Sequence, residues 1–131
     1  MFLNLLNEEE KKHYLAIAMR IVNADGKFSF EERQMIDAMR LEMGLVNETE
    51  LPVGSIEMLA EPFKSERSKL IVLLEGTLLA YVDGKFSGTE EKILRALALI
   101  FEVSEDTAQK IENWVQKFME LQKEVKEIIK I

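Results

Sequence analysis

The pentapeptide Asp-Gly-Lys-Phe-Ser occurs twice in this chain of 131 residues, at 25–29 and again at 83–87. Each copy follows an apolar stretch, and in each copy a glutamate stands three positions after the serine, Glu32 and Glu90. Glycine ends helices because it adopts left-handed backbone freely, and a serine followed three residues later by glutamate is typical of a helix start. The repeat therefore predicts two related helical hairpins, each turning at one copy.

The spacing of apolar residues predicts an all-α protein. Only two prolines and six glycines occur, and apolar residues recur mostly three and four positions apart. We expect helices at about 7–24, 29–44, 54–61, 65–83, 87–102 and 104–129. Four sites fit the capping-box pattern: Asn7 with Glu10, Ser29 with Glu32, Asn47 with Glu50 and Ser87 with Glu90. The segment "LVNETELPVGS", which includes Asn47, is nevertheless the expected loop, because Pro52 and Gly54 interrupt helix there. The chain is expected to form a single compact domain over 1–131.

The last helix carries an apolar seam of its own. Six residues follow one another at steps of three and four, which is a heptad pattern: Ile111, Trp114, Phe118, Leu121, Val125 and Ile128. The final turns, "EVKEIIKI", are expected to run past the body of the domain. Two possibilities remain for what covers their apolar side chains. Either the N-terminal "FLNLL" folds back onto them, or a protein partner binds there, including a second copy of the chain.

Composition excludes several functions. The chain has 17 basic and 24 acidic residues, a net charge of −7, and no basic cluster, so we expect no nucleic-acid partner. No apolar run approaches the roughly 18 residues of a membrane span. Because there are no cysteines and the start does not resemble a signal peptide, a cytoplasmic location is expected. No activated nucleophile or phosphate loop is present, and we expect no enzyme.

The repeated turns match only the second half of an EF-hand calcium loop. The first position of such a loop should be acidic, but Ile21 and Leu79 stand there. An ordinary EF-hand is therefore excluded, and two interpretations remain. In the structural one, glycine turns the chain, phenylalanine packs into the core, and serine with glutamate caps the next helix.

In the functional interpretation, the acids of both turns converge in one pocket: Asp25, Glu32, Asp83 and Glu90. Four neighbouring carboxylates repel one another, and a hard divalent cation such as Mg²⁺ or Ca²⁺ relieves that repulsion. Zinc is not expected, since the chain has one histidine, His13, which we place at a helix edge, and no cysteine.

The two hairpins, each bearing A/V-D-G-x-hydrophobic-S-x-x-E between its helices, resemble the TerB-like (tellurite-resistance) family over roughly residues 10–120. The resemblance implies a compact bundle of six to seven helices with a divalent-metal site made by Asp25, Glu32, Asp83 and Glu90. It also implies a role in bacterial stress response or metal resistance through protein interactions. The alternative is a helical adaptor or oligomerisation module whose turns are only structural.

One further acid stands alone in an apolar segment, "KLIVLLEGTLLAYVDG". Glu75 lies on the same helical stripe as Leu79 and Asp83. It is either an additional inward acid near the proposed pocket or the polar edge of a mostly buried helix. Its neighbour Gly76, like Ala18 on the first helix, is expected to permit close approach of two helices.

Overall fold

The computed structural model describes residues 1–84 and 86–131, and within these ranges it is helical without strands. A short 3-10 turn, Leu3–Leu5, precedes six helices: α1 (Glu8–Val22), α2 (Phe30–Met43), α3 (Ile56–Ala60), α4 (Glu66–Tyr81), α5 (Gly88–Ile100) and α6 (Glu105–Ile129). The predicted all-α class is confirmed. No described helix is both long enough and apolar enough to cross a bilayer.

The helices begin where polar side chains satisfy their first amides. Three starts form complete capping boxes: Asn7 with Glu10, Ser29 with Glu32, and Ser87 with Glu90. Three further starts have a serine that accepts one amide hydrogen bond: Ser55, Ser65 and Ser104. These caps can be recognised from the sequence alone. The predicted helix starts therefore agree with the observed ones to within about two residues.

The predicted capping box of Asn47 with Glu50 is wrong. This segment forms no helix, because its polar groups are engaged in a loop. The guanidinium of Arg40 donates through Nη1 to the carbonyl oxygens of Leu45, at 3.0 Å, and Glu48, at 2.9 Å. The amide of Glu50 donates to the Glu48 side chain at 3.0 Å, so local side-chain bonds replace those of a helix.

Helix α4 lies at the centre and contacts α1, α2, α5 and α6. Its close approach to α1 and α5 depends on Gly76. A Cβ atom there would lie 3.1 Å from Leu94 Cδ2 on α5 and 3.2 Å from Ile21 Cδ1 on α1, closer than most side chains tolerate. The close approach predicted at Gly76 is therefore confirmed, and the absent side chain lets α1, α4 and α5 share one core.

The N-terminal segment does not cover the end of α6, so that expectation is wrong. Leu3 and Leu6 are buried, and the 3-10 turn packs against α2 and α4. Glu75 holds the segment there: it is 1% exposed, and its Oε1 accepts hydrogen bonds from the Phe2 amide at 3.0 Å and the Met1 amino group at 3.1 Å. Glu75 is thus neither part of the acidic pocket nor a polar helix edge, and it anchors the start of the chain.

Candidate functional site: the two acidic turns

Both turns reverse the chain at a left-handed glycine. Gly26 has φ +74° and Gly84 has φ +76°, and no other atom lies within 4 Å of a Cβ placed on either. Glycine is therefore required by the backbone rather than by crowding. The preceding helices end earlier, at Val22 and Tyr81, so that each glycine lies inside the turn itself.

The first turn satisfies its own polar groups. Asp25 Oδ1 accepts the amide hydrogen of Lys27 at 2.9 Å, which is the local bond that aspartate commonly makes in turns. The Ser29 amide donates to Glu32 Oε1 at 2.8 Å, and the Glu32 amide donates to Ser29 Oγ at 3.1 Å. All of these contacts agree with the structural interpretation of the turn.

The second turn repeats the capping bonds. The Ser87 amide donates to Glu90 Oε1 at 3.2 Å, and the Glu90 amide donates to Ser87 Oγ at 3.1 Å. Ser87 Oγ also lies 3.0 Å from the hydroxyl of Thr89. Asp83 is half-buried, and Lys85, which completes the repeated pentapeptide, lies outside the described residues.

The phenylalanines of the turns pack at the rim of the core, although the structural interpretation placed them inside it. Phe28 and Phe86 are both half-buried. The Arg33 guanidinium covers the Phe28 ring at 4.3 Å, and Phe86 stacks on Tyr81 with ring centres 4.4 Å apart. Each ring is held between the core and one polar or aromatic neighbour, which keeps it at the surface end of its hairpin.

The two capping glutamates are buried although they carry carboxylates. Glu32 is 3% and Glu90 is 2% exposed. The second oxygen of Glu90, Oε2, is buried and has no hydrogen-bond partner among residues 1–84 and 86–131. An oxygen in this position has lost its water without gaining a donor, which is costly for a charged group.

Burial raises the pKa of Glu90 to about 7, against the opposing effect of the two hydrogen bonds from Ser87. The negative charges of Glu32 and Asp25 raise the pKa of Glu90 further. Since both residues belong to the first turn, the negative charges of that turn act on the capping glutamate of the second turn. A proton or a cation bound at Glu90 would relieve the repulsion.

The charges of two predicted site residues, Asp25 and Glu32, thus act on a third, Glu90. Asp25 is exposed at the outer end of this group, and Glu32 and Glu90 form its buried part. Within the part of the chain that the structure describes, no three acidic or histidine side chains form a ready-made metal-binding group. His13 lies on α1, away from the two turns in sequence, and its Nδ1 is 2.9 Å from the carbonyl oxygen of Glu9 on the same helix.

The sequence analysis treated the two turns as equivalent. It missed that Glu90, in the second turn, has a buried oxygen without a partner in the described residues and a raised pKa. One signal of that difference is visible in the sequence, because the residue after the capping glutamate is Arg33 in the first copy and Glu91 in the second. The burial of Glu90 Oε2 has no such signal, since it depends on how the hairpins pack.

No protein-family model, no curated protein and no solved structure matches this chain. The resemblance to the TerB-like family therefore stays a prediction that depends on the two motifs and their spacing. Any function assigned to the two turns depends instead on the positions of Asp25, Glu32 and Glu90 and on the burial of the two glutamates.

Proposed function

We propose that this chain is a non-enzymatic helical module that binds a hard divalent cation, Mg²⁺ or Ca²⁺, between its two Asp-Gly-Lys-Phe-Ser turns. The observation that carries the proposal is the buried Glu90 Oε2, which has no hydrogen-bond partner in the described ranges and belongs to a carboxyl group whose pKa the charges of Glu32 and Asp25 raise. Such a group is stabilised by a proton or by a cation. A doubly charged ion would offset two of the negative charges that Glu90 and its neighbours carry.

The chemistry of the donors favours a hard ion. The four proposed ligands, Asp25, Glu32, Asp83 and Glu90, offer only carboxylate oxygens, which Mg²⁺ and Ca²⁺ prefer. In Glu32 and Glu90 the Oε1 atom is held by the amide of the capping serine, so Oε2 is the oxygen left for the cation. The ion would supply positive charge that joins the two hairpins, and we propose no reaction at it.

The alternative proposal is a helical adaptor or oligomerisation module with purely structural turns. It is favoured by the local bonds, since Asp25, Glu32 and Glu90 each accept a backbone amide hydrogen within their own turn. Under this alternative a proton relieves the charge of Glu90, whose pKa of about 7 leaves it protonated much of the time near neutral pH, and the turns need no metal.

The TerB-like resemblance supports a further proposal about context. We infer a role in bacterial stress response or metal resistance, exerted in the cytoplasm through protein partners. The support is the doubled motif, with Asp25 and Glu32 in one copy and Asp83 and Glu90 in the other. Tellurite as such is not implied, because one fold serves many functions.

Isothermal titration calorimetry with Ca²⁺, Mg²⁺ and Mn²⁺ tests the cation site. We expect binding by the wild-type chain, and loss of binding in Glu90→Gln and in Asp25→Asn, both of which keep their local hydrogen-bond acceptor. Glu10→Gln is the matched control, because Glu10 closes a capping box outside the site. Absence of heat at millimolar metal, or binding that both variants retain, would favour the adaptor.

A further inference from the structure

The distal part of α6, residues 120–129, is exposed along its whole length, as are the two residues that follow it. Its apolar side chains are open to solvent, with Leu121 62%, Val125 43%, Ile128 69% and Ile129 58% exposed. A projecting helix of this kind, about 15 Å long at 1.5 Å per residue, is not held by the body of the domain. Contiguous apolar surface on such a helix marks an interaction site.

An apolar groove lies beside the proximal part of the same helix. It has a volume of about 690 Å³ and lies between the N-terminal segment, α4 and α6. Its apolar walls include Phe2, Leu5, Leu70, Leu74, Ile111 and Trp114. Trp114 is 41% exposed and stacks on Phe118 at 5.3 Å, so the groove continues into the distal apolar stripe.

We propose that the occupant of this groove is the distal part of α6 from a second copy of the chain. The two α6 helices pair antiparallel, and each distal part lies in the groove of the other copy. The interface is then closed and two-fold symmetric, because the groove and the segment that fills it belong to the same chain.

The heptad pattern of α6 fixes the register of this pairing. In an antiparallel pair, residues at one apolar heptad position face residues at the other. The layers that result are entirely apolar: Ile111 with Ile128, Trp114 with Val125, and Phe118 with Leu121, each formed twice. In this register residues 110–129 of the two α6 helices overlap, over a length of about 30 Å.

Charge complementarity favours the antiparallel direction. In this register Lys117 of one copy flanks Glu124 of the other, and the pair forms twice by symmetry. A parallel pair would place Lys117 beside Gln122, and Glu124 beside Ile129, so that no flanking charges would be matched. Both Lys117 and Glu124 are exposed and thus available for this contact.

The area of the interface is sufficient for a specific dimer. The exposed fractions of Trp114, the distal side chains, Phe2 and Leu5 correspond to on the order of 450 Å² of apolar surface per copy. Two copies and their polar flanks thus bury about 1,000 Å² or more, which is what a specific interface requires. The antiparallel direction also separates the two bodies, since each lies beside the projecting end of the other copy.

Sedimentation equilibrium on the full chain, in a metal chelator, tests the dimer independently of cation binding. We expect a dimer at tens of micromolar, and a monomer for the double variant Val125→Glu with Ile128→Glu, with unchanged helical circular dichroism. Leu41→Glu is the matched control, because Leu41 is equally exposed but lies on α2. A wild-type chain that is monomeric at a hundred micromolar overturns the proposal, and so does a dimer that the double variant leaves intact.

Charge reversal tests the direction of pairing. Lys117→Glu alone should weaken the dimer by about threefold to tenfold. The new glutamate lies beside Glu124 of the other copy, and symmetry produces this repulsive pair twice. Adding Glu124→Lys to the same chain should restore the wild-type dissociation constant. If neither change alters the dissociation constant, the antiparallel register is wrong.

Discussion

The carboxylate of Glu90, in the first turn of α5, lies close enough to that of Glu32, in the first turn of α2, for the charge on Glu32 to raise the pKa of Glu90. Each of the two glutamates also closes a capping box at the start of its own helix. Glu32 and Glu90 therefore each cap their own helix, and in addition their charges act on one another. This interaction gives the paired turns their proposed affinity for a cation.

The stability of the protein should depend on the ionisation of Glu90. Its pKa is about 7 in the folded chain, against 4.5 for an ordinary glutamate, so between these two values the folded state holds a proton that the unfolded state has lost. Stability should accordingly fall as the pH rises through this window, by on the order of 2 kcal/mol, and Glu90 should contribute little pH dependence outside it.

Urea denaturation of wild type and Glu90→Gln at pH 5 and pH 8, without divalent metal, measures this dependence. The variant should lose less stability than the wild type between the two conditions, because its side chain does not ionise. Glu10→Gln provides the control, since the same substitution at an unrelated capping box should leave the wild-type profile unchanged. Parallel profiles for wild type and Glu90→Gln would contradict the buried, neutral Glu90.

The turn glycines should be needed for their backbone conformation. Gly26→Ala and Gly84→Ala should each cost about 1–2 kcal/mol, because both positions have φ near +75° and a Cβ atom is disfavoured there. Gly88→Ala is the matched comparison. Gly88 begins α5 with open space around it, so alanine should be neutral or stabilising by about 0.5 kcal/mol. Chemical denaturation measures all three, and equal effects at Gly26 and Gly88 would refute the assignment.

The N-terminal segment should depend on Glu75. Glu75→Leu removes the acceptor for the Phe2 amide and should destabilise the fold by about 1 kcal/mol, since a part-buried hydrogen bond is lost. Hydrogen exchange should show lost protection at residues 3–6, where the 3-10 turn packs on α2 and α4. Glu75→Gln, which keeps an acceptor oxygen, should lose less. Unchanged exchange in Glu75→Leu would show that Leu3 and Leu6 hold the segment without it.

Much of the helical architecture was predictable because the helix starts are encoded locally. Asn7, Ser29 and Ser87 each stand three residues before the glutamate that closes the box, and the structure has a helix at each. The same rule failed at Asn47, where Arg40, in the last turn of α2, donates to two carbonyl oxygens of the loop that follows. These bonds span only five and eight residues, but they involve an arginine upstream of the predicted cap, which the capping pattern does not include.

The candidate site was predictable in its residues but not in its geometry. The repeat identified Glu32 and Glu90 as related positions, yet the sequence could not show that both are buried or that Glu90 Oε2 lacks a donor within the described ranges. For the same reason the position of the N-terminal segment "FLNLL", which was expected to fold back onto the end of α6, was predicted wrongly. Its anchor, Glu75, is distant in sequence, and only packing brings the two together.

The most direct test of a cation site between the turns is a carboxyl ¹³C NMR titration of the isotope-labelled chain with Mg²⁺ and Ca²⁺. We predict that the side-chain carboxyl resonances of Asp25, Glu32 and Glu90 shift together, with one common dissociation constant, whereas that of Glu10 does not move. Carboxyl resonances of the two turns that stay unchanged at millimolar metal, or that shift no more than Glu10, would contradict it.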